Sequence, residues 1–273
     1  MRGEFVDLDG ARLYYYAAGS RGAGEPVVFL HGFGTSGHLW SEVVSLMPPG
    51  YRLVVVDLLG FGRSDPPAGR PLTLRAHAQR VVALLDALSI RQACLVGHGL
   101  GGGIAQAVAE EWPERVSRLA LVNSVAPSAW LTRNTLIARA LLPLLRRLPS
   151  PWLVSLVRTE LERGYRDPAR ATHSLDRYTR PFAGDAGREA LVRHVAALDA
   201  RETASVASRL GQVRCPSAVI WGAGDPFFGM ACGRRIAASL PMSRVTEVAE
   251  ARHFTPEDAP RLVADAIAEL LLR

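Results

Sequence analysis

Cys94-Leu-Val-Gly-His-Gly-Leu-Gly-Gly-Gly-Ile-Ala-Gln106 is the stretch whose reading decides the fold. Residues 93–96 are a short apolar run of the kind that forms a buried strand. Gly97-His98-Gly99-Leu100-Gly101 is a glycine-lined turn, and a helix is expected from about Gly101. Strand, sharp turn and helix in this order match the G-x-S-x-G nucleophile elbow, in which the middle residue stands exposed above the sheet. Here that residue is Gly99, so the turn has the frame of a nucleophile site and no side chain to serve as one.

Working outward, Asp9-Gly10 between two strand-like runs (5–8 and 12–17) is a type I′ hairpin signal. Residues 26–30 form a buried strand ending in His31-Gly32-Phe33-Gly34, and residues 53–56 form another ending at Asp57. Helices are expected over 39–46, 72–88 and 101–110, and a strand over 119–122. From 126 to 209 the alternation stops, and only helical patterns broken by prolines follow. Strands resume at 217–221 and 244–248, and an amphipathic helix closes the chain at about 258–272. Apolar strands alternating with helices imply an α/β fold with a mostly parallel, doubly wound sheet. Residues 1–125 and 210–273 are expected to form the core. Residues 126–209 read as a helical lid inserted after the sixth strand, over the strand ends where ligands bind in such sheets.

Composition narrows the classes. A chain of 273 residues, 48% hydrophobic, can bury one large domain. All 32 basic residues are arginine and the net charge is +6, but most of the arginines are interleaved with acids, so no nucleic-acid partner is expected. No apolar run is long enough to span a bilayer, and the N-terminal residues lack the apolar core of a signal peptide; no membrane partner and a cytoplasmic location are expected. Cys94, Cys215 and Cys232 have neither disulfide nor metal spacing, and no cofactor or metal is expected.

Four strand-end loops carry polar residues in a definite order: His31-Gly-Phe33-Gly34, the Gly99 turn, Trp221-Gly-Ala-Gly-Asp225-Pro-Phe-Phe228, and His253-Phe-Thr-Pro-Glu-Asp-Ala-Pro260. With Asp57-Leu-Leu-Gly-Phe-Gly-Arg-Ser-Asp65, these phrases resemble the α/β-hydrolase-fold superfamily, in the group of small esterases, meta-cleavage product hydrolases, epoxide hydrolases and haloalkane dehalogenases. The resemblance covers about residues 4–125 and 210–272. It implies that His253 is a general base, that Asp225 orients it, and that the backbone N–H groups of Phe33 and Leu100 form an oxyanion hole. Gly99 stands where the serine branch of the family carries its nucleophile. His31 and Asp57 read as structural, and His98 as a residue packing the elbow. Ser124 and Ser36 are the nearest stand-in nucleophiles, though neither sits on the turn. Trp130, Trp152, Phe182 and Phe227 are candidate substrate contacts.

Three functional readings stay open on the sequence. The chain is a serine hydrolase for a small, largely apolar ester or carbonyl substrate, inactivated at Gly99. Alternatively Gly99 is natural, and His253, Asp225 and the oxyanion donors carry out proton transfer, cyclisation, lyase chemistry or water attack. Thirdly, it binds a small molecule without turnover. Monomer and homodimer are both compatible with the sequence.

Overall fold

A computed structural model of the chain describes residues 3–19, 24–125 and 133–273. The hairpin β1 (Gly3–Leu8) and β2 (Ala11–Gly19) turns at Asp9 and Gly10, both at positive φ as a type I′ turn requires. Then follow β3 (Pro26–Leu30), α1 (Ser41–Leu46), β4 (Arg52–Val56), α2 (Leu74–Ala87), β5 (Ala93–His98), α3 (Leu100–Glu111) and β6 (Val116–Val122). After β6 the described chain is helical through α4 (Arg133–Ala140), α5 (Leu142–Leu145), α6 (Ser150–Glu162), α7 (Pro168–Thr179), α8 (Asp185–Ala197) and α9 (Ala200–Ser208). The sheet resumes with β7 (Ser217–Gly222), α10 (Met230–Ser239) and β8 (Ser243–Val248), and the chain ends in α11 (Thr255–Asp258) and α12 (Pro260–Leu271).

The eight strands run β1-β2-β4-β3-β5-β6-β7-β8, parallel except at the hairpin edge. Strand alternation sorts side chains to two buried faces. Val28 and Leu30 of β3 meet Val81 and Leu84 of α2 and Ile104 and Val108 of α3. Val27 and Phe29 face the other way, toward Val43 of α1 and Val263 and Ile267 of α12. This is the doubly wound sheet expected from the alternation. With helices on both faces, the functional loops are left at the strand carboxyl ends.

Candidate active site

The turn after β5 explains its own glycines. Gly99 has φ 51° and ψ −117°, a left-handed conformation that is strained for any residue with a side chain. At Gly101 a Cβ would come within 2.3 Å of the Leu30 carbonyl oxygen, so only glycine lets α3 pack this close to β3. A Cβ at Gly99, by contrast, would meet Gly32 Cα at 3.3 Å and His253 Nε2 at 3.8 Å. Position 99 is thus aimed at the imidazole.

His253 Nδ1 donates to Asp225 Oδ2 at 2.9 Å, and the pair is buried. Asp225 Oδ1 accepts from the N–H groups of Phe227 (2.8 Å) and Phe228 (3.0 Å), and Oδ2 also accepts from Asn123 Nδ2 at 2.7 Å. Burial opposes ionisation of Asp225. The His253 ring and these donors outweigh it and hold the carboxyl below its ordinary pKa. An ionised carboxylate at this position fixes the tautomer that leaves Nε2 free to accept a proton.

Asn123 carries no motif, and the sequence alone does not single it out. It follows β6 in the left-handed region (φ 40°), which asparagine tolerates better than most residues. Its Nδ2 serves Asp225, and its Oδ1 accepts from the Gly222 N–H (3.1 Å) and Thr255 Oγ1 (2.6 Å). One amide thereby joins the loop holding the acid to the loop holding the histidine.

The two N–H groups opposite His253 are fixed by their own peptide planes. The Gly32 carbonyl accepts from His31 Nδ1 (2.8 Å), Thr35 Oγ1 (2.9 Å) and the Thr35 N–H (3.3 Å). The Gly99 carbonyl accepts from the N–H groups of Gly102 (3.1 Å), Gly103 (3.2 Å) and Val125 (3.1 Å). A trans peptide points its N–H opposite its C=O, so three donors on each carbonyl orient the Phe33 and Leu100 N–H groups. Neither N–H has an acceptor among the described residues. The Leu58 N–H donates to His31 Nε2 at 2.9 Å, and burial lowers the His31 pKa to about 4, so this ring is a neutral brace. His98 donates through Nε2 to the His253 carbonyl at 3.0 Å, and burial, then His253, push its pKa well down.

Two further groups resolve as structural. The Asp57 carboxylate holds the N–H groups of Gly37 (2.6 Å) and Arg63 (2.8 Å). Glu257, four residues after His253, is buried beneath three hydroxyls: Tyr165, Ser174 Oγ (2.6 Å) and Tyr178 (3.0 Å), the last two on α7. Burial raises its pKa to about 7 despite those donors. It is the seam between the His253 loop and the helical insertion, and sequence reading passed over it.

A cavity of about 450 Å³ stands over Gly99 and His253. Its floor is Phe33, Leu100, Phe227 and Phe228, and its walls come from α4, α5, α6 and α8. The Phe227 ring meets His253 edge-on at 4.9 Å. The other aromatic candidates need correction. Trp152 is 69% exposed and does not line the cavity. Phe182 is fully buried and packs on Phe61 at 6.1 Å, where it anchors the insertion to the core. Trp130 lies outside the described residues. Neither stand-in nucleophile is placed for the task. Ser124 is fully buried behind α3, bonded to Gln106 and the Val125 carbonyl, and Ser36 caps the turn at His38. Among the described residues no three His, Cys, Asp or Glu side chains are grouped to hold a metal ion.

A sequence profile described as the alpha/beta hydrolase fold matches residues 25–260. The chain belongs to the α/β-hydrolase-fold family. Among its relatives, an uncharacterized hydrolase of Bacillus subtilis, YugF, is 28% identical over 268 residues, 97% of this chain and 96% of that one. A 2-hydroxy-6-oxononadienedioate/2-hydroxy-6-oxononatrienedioate hydrolase of Cupriavidus pinatubonensis is 30% identical, over 87% of this chain and 83% of its own. An α/β-hydrolase-fold protein of Burkholderia ambifaria superposes with a TM-score of 0.90 at 24% identity, covering 97% of each chain, and so shares the fold. The chain is thus an α/β-hydrolase-type enzyme, as the five motifs led one to expect. No helix among the described residues is long and apolar enough to cross a membrane.

Proposed function

We propose that this chain is a hydrolase-type enzyme for a small, neutral, largely apolar ester or related carbonyl compound. Its base is His253, oriented by Asp225, and its oxyanion donors are the Phe33 and Leu100 N–H groups. The observation that carries the reading is the line from position 99 to the imidazole: a Cβ there would lie 3.8 Å from His253 Nε2, whose other nitrogen is held by Asp225. The arrangement has the aim of a serine hydrolase and lacks the hydroxyl.

Without that hydroxyl no acyl-enzyme forms, and water is the available nucleophile. His253 Nε2 takes a proton from a water molecule as its oxygen bonds to the substrate carbonyl carbon. The carbonyl oxygen becomes an oxyanion facing the two N–H groups. Collapse breaks the bond to the leaving alkoxide, which receives the proton from His253, giving acid and alcohol. Loss of the nucleophile costs on the order of a million-fold in related triads, with about a thousand-fold over water remaining. Turnover by this chain is therefore slow.

The cavity supports the substrate class. Its walls are mostly Leu, Val, Ile and Phe, and Glu160 is its one carboxylate, with no arginine among the described lining residues. Among the described lining residues a substrate carboxylate would find no arginine. This separates the chain from its relative named for dioate substrates. The test is hydrolysis of p-nitrophenyl butyrate by the native chain and by His253→Ala. A slow rate lost on substitution supports the reading. A rate unchanged by the substitution would refute it.

A further inference from the structure

We infer that the outer face of α4–α6 docks on an anionic lipid surface, bringing the cavity mouth against it. The large apolar side chains exposed on the insertion gather there. Trp152 is 69% exposed, Leu144 and Leu156 54%, and Leu136 52%, with Ile137 and Leu141 also open to solvent. Ile137, Leu141 and Leu156 at the same time line the cavity. These three side chains thus belong both to the outer surface and to the substrate chamber, and α4 and α6 are tied beside them by Asn134 Nδ2 donating to Glu160 at 2.8 Å. Exposed apolar surface of this extent marks an interaction site.

Charge selects the partner. Across α4–α6, from 133 to 162, the chain holds five arginines against two acids, Glu160 and Glu162. Arg146 and Arg147, at the end of α5 beside Leu144, are exposed, and neither has a carboxylate partner among the described residues. A second copy of the chain is a poor occupant, because a two-fold contact would set five arginines of each copy against two glutamates, of which Glu160 is already held by Asn134 and Arg163. Leucines and a tryptophan rimmed by unpaired arginines are the composition that lies in the plane of an anionic bilayer. Residence at a surface differs from spanning it, so the absence of a spanning helix does not bear on the inference. A neutral apolar substrate dissolved in such a bilayer would then reach His253 without crossing water.

The test reads binding, not turnover, so its failure is separate from failure of the catalytic reading. The full chain is sedimented with vesicles of phosphatidylcholine and with vesicles of phosphatidylcholine mixed with phosphatidylglycerol. The expected result is binding to the mixed vesicles, weakened by salt, with a blue shift of tryptophan emission that Trp152→Phe removes. Arg146→Gln with Arg147→Gln should weaken binding about 30-fold, since each basic residue near an anionic surface contributes roughly five-fold. Leu144→Ser with Trp152→Ser should abolish it while leaving the urea unfolding midpoint in place. Absence of binding to the mixed vesicles at low salt, or equal binding to both vesicle types, would overturn the inference. So would a concentration-dependent dimer in sedimentation velocity that Leu144→Ser with Trp152→Ser dissolves, since a second copy would then cover the face.

Discussion

The floor of the cavity and its roof are built on opposite principles. On the floor, at the carboxyl ends of β3, β5, β6, β7 and β8, polar groups are tied to named partners: both Asp225 oxygens, the Asn123 amide, and the carbonyls of Gly32 and Gly99. On the roof, α4, α5, α6 and α8 present aliphatic side chains to the chamber and arginines to the outside. Hydrogen bonds fix directions, and apolar contact fixes only shape and volume. On the proposed reading, the floor holds a reacting carbonyl to within a narrow geometry, whereas the roof selects what is brought there.

Substitutions should separate the two regions by size and kind of effect. The largest is His253→Ala, which removes the proposed base and should lower the turnover number about 10²–10³-fold with KM little changed, measured with p-nitrophenyl butyrate.

Next is the seam. Glu257 titrates near 7 in the fold, against an ordinary value near 4.5, so the folded chain binds a proton that the unfolded chain releases between those pH values. The Glu257 contribution to stability therefore falls as pH rises from about 4.5 to 7, by about 3 kcal/mol in all, against the opposite slope of His31 and His98, whose buried rings take up their protons only on unfolding. Urea unfolding across that range should show the fall in the difference between the native chain and Glu257→Gln, the native chain losing stability relative to the variant as pH rises.

Asn123→Ala should cost about 2 kcal/mol, because the Gly222 N–H is left buried without a partner and Asp225 loses one donor. It should also slow turnover about ten-fold as the acid and histidine loops uncouple. Smallest is Val157→Ala, on the roof. Removing two methyl groups from the cavity wall should cost about 1 kcal/mol, a roughly five-fold fall in kcat/KM expressed through KM alone. A loss in the turnover number for this variant would break the division between floor and roof.

The floor was legible in the sequence because each of its parts is local. Gly97–Gly101, Asp225 and His253 each sit in a short phrase at the end of an apolar strand, and chain order supplies the rest. The roof was not, because a helical pattern of leucines states that a face is apolar without stating what it faces. Trp152 stands outside the chamber and Phe182 in the core for that reason. Asn123 and Glu257 escaped notice for a different one. Each acts through partners about 80 to 130 residues away, which only the fold brings near.

The most direct test of the central claim is Gly99→Ser. The serine would occupy a left-handed backbone position with its Cβ 3.3 Å from Gly32 Cα, so the variant should lose about 1–3 kcal/mol of stability and remain folded. Its Oγ would stand beside His253 Nε2. The account predicts labelling of that serine by a fluorophosphonate, a burst of p-nitrophenol on mixing with the butyrate ester, and a rate on the order of a thousand-fold or more above the native chain, all lost on adding His253→Ala. A folded Gly99→Ser variant with no label, no burst and no gain in rate would contradict it.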